Sequence, residues 1–567
     1  MTLRLKLFAA LFGTLVLGTR AADLANTYKA SSYSNPISPC VFCADPTAME
    51  YNGRLYVYGT NDHQQFLANN RAGENNYGAI KSLVIFSTAD MVNWTFHGTI
   101  DVAKICNAWG WRFAASWAPS VTWRENANGE PEFFLYFANS GGSVGVLKAS
   151  SPTGPWQSPL SKPLIDGDTP GVKPCNWIFD PGVAIDDEGT AWLAFGGGDP
   201  NAQGTKLMPG NSRIAKLKPS MTALDGAAVN LPAPYLFEAS ELNIIGGRIV
   251  YTYNTSWSDR NDWSSYAKRG SAKAPSACSM CYMVTDTPLD PDSWEYRGEY
   301  LANPGTFGFG YGNNHTHLQK FRDNYYLFYH SMVLEQKMKT GASGFRSIGV
   351  DQVTVNEETQ RISTAKMTNQ GPAATDNMNP YDWQQAETMA TAGGVSYEDF
   401  KNASKATCSN LGNDASVNLQ VQMKAGSWTM VRNADFGSNG AASFTLRASG
   451  SGTLEVRVGK LNATAAATVT FSSAEQADHT VEIAADEFSG TQNVFFVFTE
   501  ADNVKFDAWQ FAAAQPDTDA TGIKAQGQGA KERQKATDAI YNLNGQKLNT
   551  PPARGIYISQ GQKLKAK

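Results

Sequence analysis

Five times in its first 380 residues the chain repeats one phrase, a turn followed by an almost unbroken apolar strand. The copies are Gly53-Arg54-Leu55-Tyr56-Val57-Tyr58-Gly59, Glu132-Phe133-Phe134-Leu135-Tyr136-Phe137-Ala138, Gly189-Thr190-Ala191-Trp192-Leu193-Ala194-Phe195-Gly196, Gly247-Arg248-Ile249-Val250-Tyr251-Thr252-Tyr253 and Asn324-Tyr325-Tyr326-Leu327-Phe328-Tyr329-His330. They return roughly every 55 to 80 residues. A strand apolar on both sides suits a sheet packed on both faces. Radial repetition of small sheets supplies that packing, because each blade is sandwiched between its neighbours. Five copies therefore predict an all-β, five-bladed β-propeller. A sandwich or jelly roll does not predict repeats of this length.

A short polar or acidic segment precedes each phrase: Ala44-Asp45-Pro46, Trp117-Ala118-Pro119, Phe179-Asp180-Pro181, Phe237-Glu238-Ala239 and Asn314-His315. In a propeller, equivalent positions of successive blades converge near the axis. Asp45, Asp180 and Glu238, far apart in sequence, are thus expected to meet in one pocket. Cleaving a glycosidic bond needs one protonated carboxyl for the leaving oxygen and one ionised carboxyl to activate water or attack carbon. A third carboxylate beside the acid keeps it protonated by like-charge repulsion. A lone Asp-Pro is ordinarily a turn; three acids in matching places point to chemistry.

These segments resemble glycoside hydrolase family 43 over about residues 30 to 380. The resemblance rests on Ala44-Asp45-Pro46 followed by Asn52-Gly53-Arg54-Leu55-Tyr56, then Ser116-Trp117-Ala118-Pro119, Asp180-Pro181-Gly182 and Pro234-Tyr235-Leu236-Phe237-Glu238-Ala239-Ser240. It implies an inverting enzyme on arabinose- or xylose-containing glycans. Asp45 is then the general base, Asp180 the pKa modulator and orienter, and Glu238 the general acid. Glu241, three residues on, departs from the pattern and leaves a swap of roles open. Glu238 is favoured because it follows Tyr235-Leu236-Phe237 as Asp180 follows Trp177-Ile178-Phe179.

The resemblance extends to Asn313-Asn314-His315, which implies a histidine at the propeller axis, with a calcium ion or water there. Phe345-Arg346-Ser347 implies that Arg346 binds sugar or a carboxylate. Trp117 is a candidate sugar-stacking wall. The stretch Phe345–Asp351 looks most like arabinoxylan-acting members. The expected activity is removal of α-L-arabinofuranosyl side chains, with β-xylosidase or endo-arabinanase as alternatives on the same fold. Plant cell-wall polysaccharide (arabinoxylan, arabinan or xylo-oligosaccharide) is the expected partner. A non-catalytic glycan-binding protein is a further alternative, although binding alone does not need three acids in one pocket.

Near residue 383 the text changes to short alternating strands such as Thr453-Leu454-Glu455-Val456-Arg457-Val458, which read as a β-sandwich. Residues 383–512 resemble a family 6 carbohydrate-binding module. That resemblance implies a structural calcium held by Gln385, Glu387 and Asp507 through oxygen ligands. Asn503 matches the usual sugar-binding Asn. Val417 stands where a tyrosine is common, and Phe471–Ile483 carries no tryptophan. Glycan binding and pure support of the propeller both stay open for this module.

The ends complete the plan. Arg4 and Lys6 precede an apolar run from Leu7 to Leu17, and Thr19-Arg20-Ala21 offers a cleavage site, so 1–21 reads as a secretory signal peptide. No segment is suited to spanning a membrane, and the net charge of −5 gives no electrostatic case for nucleic acid. The catalytic domain is expected over 22–382, a linker over 513–537, and a tail over 538–567 that resembles C-terminal sorting tails of exported Bacteroidetes proteins. The protein is expected outside the cytoplasm: secreted, periplasmic or at the cell surface. Seven cysteines, including two C-x-x-C pairs more than 200 residues apart, favour disulfides or buried thiols over zinc. No organic cofactor is expected.

Overall fold

A computed structural model describes residues 23–402 and 419–514, together with strands Ile540–Asn542, Lys547–Leu548, Gly555–Ser559 and Gln562–Ala566. The expected signal peptide, Val417, Cys408 and nearly all of the linker lie outside the described residues.

Five antiparallel sheets form the propeller, and each repeated phrase is the second strand of its blade. The blades open with Ala44–Tyr51, Trp117–Glu125, Gly182–Ile185, Leu236–Ile245 and Thr316–Phe321; their second strands are Arg54–Thr60, Pro131–Ala138, Ala191–Gly196, Arg248–Thr255 and Asn324–Ser331. The opening strands are innermost, each touching the next around the ring and the fifth touching the first. The strand Pro131–Ala138 shows why the phrases are apolar throughout. Phe133, Leu135 and Phe137 pack with Tyr58 and Ile85 of the first blade, whereas Phe134 and Tyr136 pack with Leu193 and Phe195 of the third. Successive side chains of a strand face opposite sides, so both sides are core. Each buried large apolar side chain contributes about 1.5–3 kcal/mol. The chain's start closes the ring: the amides of Ile37 and Cys43 donate to the carbonyls of Ile348 and Arg346 on the fifth blade, both at 2.9 Å.

The same irregularity recurs at the inner end of four blades. Asp45, Ala118, Asp180 and Ala239 have φ of 50°, 39°, 47° and 63°, a conformation uncommon outside glycine. The strand register slips beside Asp45, Ala118 and Ala239. Each bulge re-aims a side chain at the axis. Asp45 and Asp180 occupy the left-handed position itself, and Glu238 the position before it, equivalent to Trp117. The three acids are therefore not strictly equivalent as the repeat pattern suggested. Glu241 is equivalent to Thr47 and Ser120, on the far side of the bulge.

The C-terminal module is a curled β-sheet around the long strands Ala441–Val458, Ala465–Glu482 and Thr491–Ala513. Its core, including Phe444, Phe496, Phe506 and Trp509, is continuous with Val57, Phe86 and Phe96 of the first blade. Thr388–Met389 pairs with the outer strand Trp94–Ile100, covering that sheet edge. The Asn93 side chain exchanges two hydrogen bonds of 2.8 Å with the Arg432 backbone. The tail strands form their own four-stranded antiparallel sheet. Among the described cysteines all six are free thiols, five of them buried.

Candidate active site

The inner strand ends open into a cavity of about 400 Å³ lined by Asp45, Trp117, Asp180, Glu238, His315 and Arg346, together with Tyr77, Ser140, Gly141, Trp177, Phe179 and Asn313. All six pocket residues singled out from the sequence share this one space. Glu241 does not line it; its carboxylate faces His317 Nδ1 at 3.3 Å.

Asp45 is the best-held group. Arg346 Nη1 donates to its Oδ1 at 2.8 Å, and the Thr60 hydroxyl to its Oδ2 at 2.7 Å. Its own amide donates to His330 Nδ1 at 3.1 Å, and His330 Nε2 faces the Asn313 carbonyl at 3.0 Å. His315 Nδ1 lies 3.6 Å from Asp45 Oδ1. Burial would raise this carboxyl, but the Arg346 guanidinium, with the His330 contact beside it, holds it well below the usual carboxylate range. Asp45 is therefore the group of the pocket that most favours its anion. Burial pushes His315 the other way, down to about 4, so it sits neutral beside Asp45.

The other two acids shift upward. Burial and the Asp45 charge raise Asp180 to about 7, although its Oδ2 accepts the Ala239 amide at 2.8 Å. That bond ties Asp180 to the bulge of the fourth blade, one residue from Glu238. Burial raises Glu238 well above the ordinary glutamate value, and the charges of Asp180 and Asp45 raise it further. Its Oε1 is buried with no hydrogen-bond partner. The pocket thus holds one carboxylate fixed as an anion and one carboxyl held protonated, which is the division that acid–base cleavage needs.

Several site residues escaped the sequence reading. Asp62 accepts Arg346 Nε at 2.9 Å, Nη2 at 2.8 Å and the Arg346 amide at 3.0 Å. The guanidinium so bridges two acids, with its carbon 5.1 Å from the Tyr77 ring centre. Asp62 follows the end of the first repeated strand by two residues, a position whose polarity was the available signal. Thr60 links blades, since its hydroxyl also accepts the Ala118 amide at 2.7 Å. Trp117, half-buried, donates Nε1 to the Tyr77 carbonyl at 3.2 Å. Trp177 stands at the rim, packed edge-on against Phe179 and Phe237; Gly198, at φ 98°, lies where any Cβ would strike its ring.

In the module, both carboxylate oxygens of Glu387 are buried without a hydrogen bond. Burial and the nearby Asp507 charge push Glu387 well above its ordinary value. Gln420 donates to Asp507 Oδ1 at 3.2 Å, and Gln385 pairs through its backbone with Ala508, next to Asp507. Two buried, mutually repelling carboxylates fit a hard cation with oxygen ligands.

The family model "Glycosyl hydrolases family 43" matches residues 33–359, and "Carbohydrate binding module (family 6)" matches 385–513. The chain is 35% identical to an arabinoxylan arabinofuranohydrolase of Bacillus subtilis over 87% of its length and 94% of that protein's. It is also 35% identical to an arabinoxylan arabinofuranohydrolase of Paenibacillus polymyxa, over 87% of this chain and 76% of the relative. A crystal structure of a family 43 arabinoxylan arabinofuranohydrolase from Bacillus subtilis, in complex with cellotetraose, superposes with a TM-score of 0.76 at 33% identity, covering 86% of this chain and 99% of that one.

Proposed function

We propose that this chain, which belongs to glycosyl hydrolase family 43, releases α-L-arabinofuranosyl side chains from arabinoxylan with inversion at the anomeric carbon. It is a glycoside hydrolase. The observation carrying the assignment of roles is that one cavity holds both Asp45, hydrogen-bonded to Arg346 and Thr60, and Glu238, whose buried Oε1 has no hydrogen-bond partner. Asp45 takes a proton from water. The water oxygen bonds to the anomeric carbon from the face opposite the departing sugar, the glycosidic C–O bond breaks, and Glu238 gives its proton to the departing oxygen. Asp180 keeps Glu238 protonated and orients it through the Ala239 amide. Arg346 and Thr60 hold Asp45 in place, leaving its remaining lone pairs for water. Inversion requires room for that water, about 6.5–9.5 Å between base and acid.

Calcium is the ion we assign to Gln385, Glu387 and Asp507, where it would neutralise the facing carboxylates. We further propose an axial ion beside His315 on the family resemblance, export on the basic and apolar pattern of residues 1–21, and sorting on the likeness of the tail to C-terminal sorting tails.

Asp45→Asn should abolish turnover in a protein that still folds; retained turnover refutes Asp45 as base. Glu238→Gln should impair natural glycosides more than activated aryl glycosides, and equal loss on both refutes the acid role. Products released from arabinoxylan, linear arabinan and xylobiose test the substrate; xylose from xylobiose, or oligosaccharides from arabinan, would favour the alternatives.

A further inference from the structure

The C-terminal module reaches the back wall of the pocket. The short helix Asp62–Ala68 begins with Asn61 as its cap, the Asn61 side chain accepting the Gln64 amide at 3.3 Å. Its first residue, Asp62, is fully buried and grips Arg346. Both sequence neighbours of Asp62 touch one side chain of the module, Tyr397. Asn61 Nδ2 donates to the Tyr397 hydroxyl at 3.3 Å. The His63 ring stacks on the Tyr397 ring, centroids 4.3 Å apart and 18° from parallel. The next module residue, Glu398, is ion-paired with Arg71 just past the helix and lies 3.9 Å from His63 Nε2. From the propeller side, His63 is held by Phe42, whose amide donates to its Nδ1 at 3.3 Å. Tyr397 thus closes a sandwich around the segment that aims Asp62.

Among the described residues the module's range contains none of the exposed large apolar side chains; the exposed tryptophans are Trp111, Trp177 and Trp257, all within the propeller. Sugar-binding faces normally present such rings.

We propose that the module is a working part of the catalytic site: Tyr397 and Glu398 are positioning residues that hold the start of the helix, and through Asp62 and Arg346 the carboxylate of Asp45. This rests on the reading of Asp45 and Arg346 given above. Arg346 carries the coupling, because among the described residues it alone bridges Asp62 and Asp45. Small displacements of a positioned group are costly in rate, so the loss appears in kcat rather than in sugar binding.

The test uses the full chain and 4-nitrophenyl α-L-arabinofuranoside, too small to need a second binding face. Tyr397→Ala should lower kcat about tenfold, with KM little changed. Tyr397→Phe, which keeps the stacked ring, should restore most of the rate, and Glu398→Gln should give a smaller loss. In an Arg346→Lys background the Tyr397→Ala loss should largely vanish, since both act on one link. Wild-type kcat in Tyr397→Ala, or a full additive loss in the double variant, overturns the inference. Asp45→Asn separates the two levels: an inactive Asp45→Asn beside a fully active Tyr397→Ala sinks only the brace, whereas an active Asp45→Asn sinks the site reading itself.

Discussion

Replacing Arg346 by lysine keeps the charge and removes the fork. The native guanidinium makes three charged hydrogen bonds, one to Asp45 at 2.8 Å and two to Asp62 at 2.8 and 2.9 Å. An ammonium on a lysine stem ends near the position of the guanidinium carbon and cannot span both acids with planar geometry. It should stay with Asp62, which lies alongside the stem, and leave Asp45 without its direct donor. Hydrogen bonds to charged groups contribute about 1.5–3 kcal/mol each. Losing two, with part of the Coulomb attraction retained, costs about 2–4 kcal/mol. At 1.36 kcal/mol per decade this corresponds to a fall in kcat/KM of about 100-fold. The sign of the pH effect follows from the same bond. Asp45 acts as an anion and is held low by Arg346, so activity disappears as pH falls through its pKa; weakening the bond raises that pKa and moves the acid limb toward neutral. The assay is kcat/KM against pH for Arg346→Lys and wild type, with melting temperatures alongside. A kcat/KM within about threefold of wild type and an unmoved acid limb would refute the role assigned to the bridge.

Three further outcomes follow from the same geometry. Asp180→Asn removes a charge that raises Glu238, so the alkaline limb of kcat/KM should move to lower pH; because the two acids titrate together, the limb reports the pair, and an unshifted limb would remove Asp180 as modulator. Thr60→Val strands the buried Ala118 amide and deprives Asp45 of a donor, so the melting temperature should fall, consistent with a loss of about 1–3 kcal/mol for the amide; an unchanged melt would show that water replaces the hydroxyl. Calcium should raise the melting temperature of the wild type and not of Glu387→Gln. Glu387 is raised in the fold, so without an ion its ionisation costs stability progressively as pH climbs past the ordinary glutamate value of about 4.3. The calcium effect should accordingly grow with pH, and an equal response from Glu387→Gln would place the ion elsewhere.

Much of this architecture is written along the chain. A strand such as Pro131–Ala138 is apolar at every position because it serves two cores at once, and that local fact, repeated five times, is enough to imply a ring of blades. The Asp-Pro pairs at 45 and 180 signal strained turns in one dimension, before any contact is known. Other features have no one-dimensional trace. Glu238 and Glu241 are three residues apart and equally acidic in the text; only the bulge at Ala239 turns one into the pocket and the other toward His317, because a slip of strand register changes which way each side chain points. Asp62 gives no hint of binding Arg346, nearly three hundred residues away, since that contact exists only when the fifth blade closes on the first. In sequence the module leaves glycan binding and support of the propeller equally open; in the fold its core runs into the first blade and Tyr397 packs beside the segment that holds Arg346. Periodicity records what a strand needs from its immediate neighbours, so it survives in the sequence; the ionisation of Asp45 and Glu238 depends on charges and burial contributed by four blades, and only their convergence decides it.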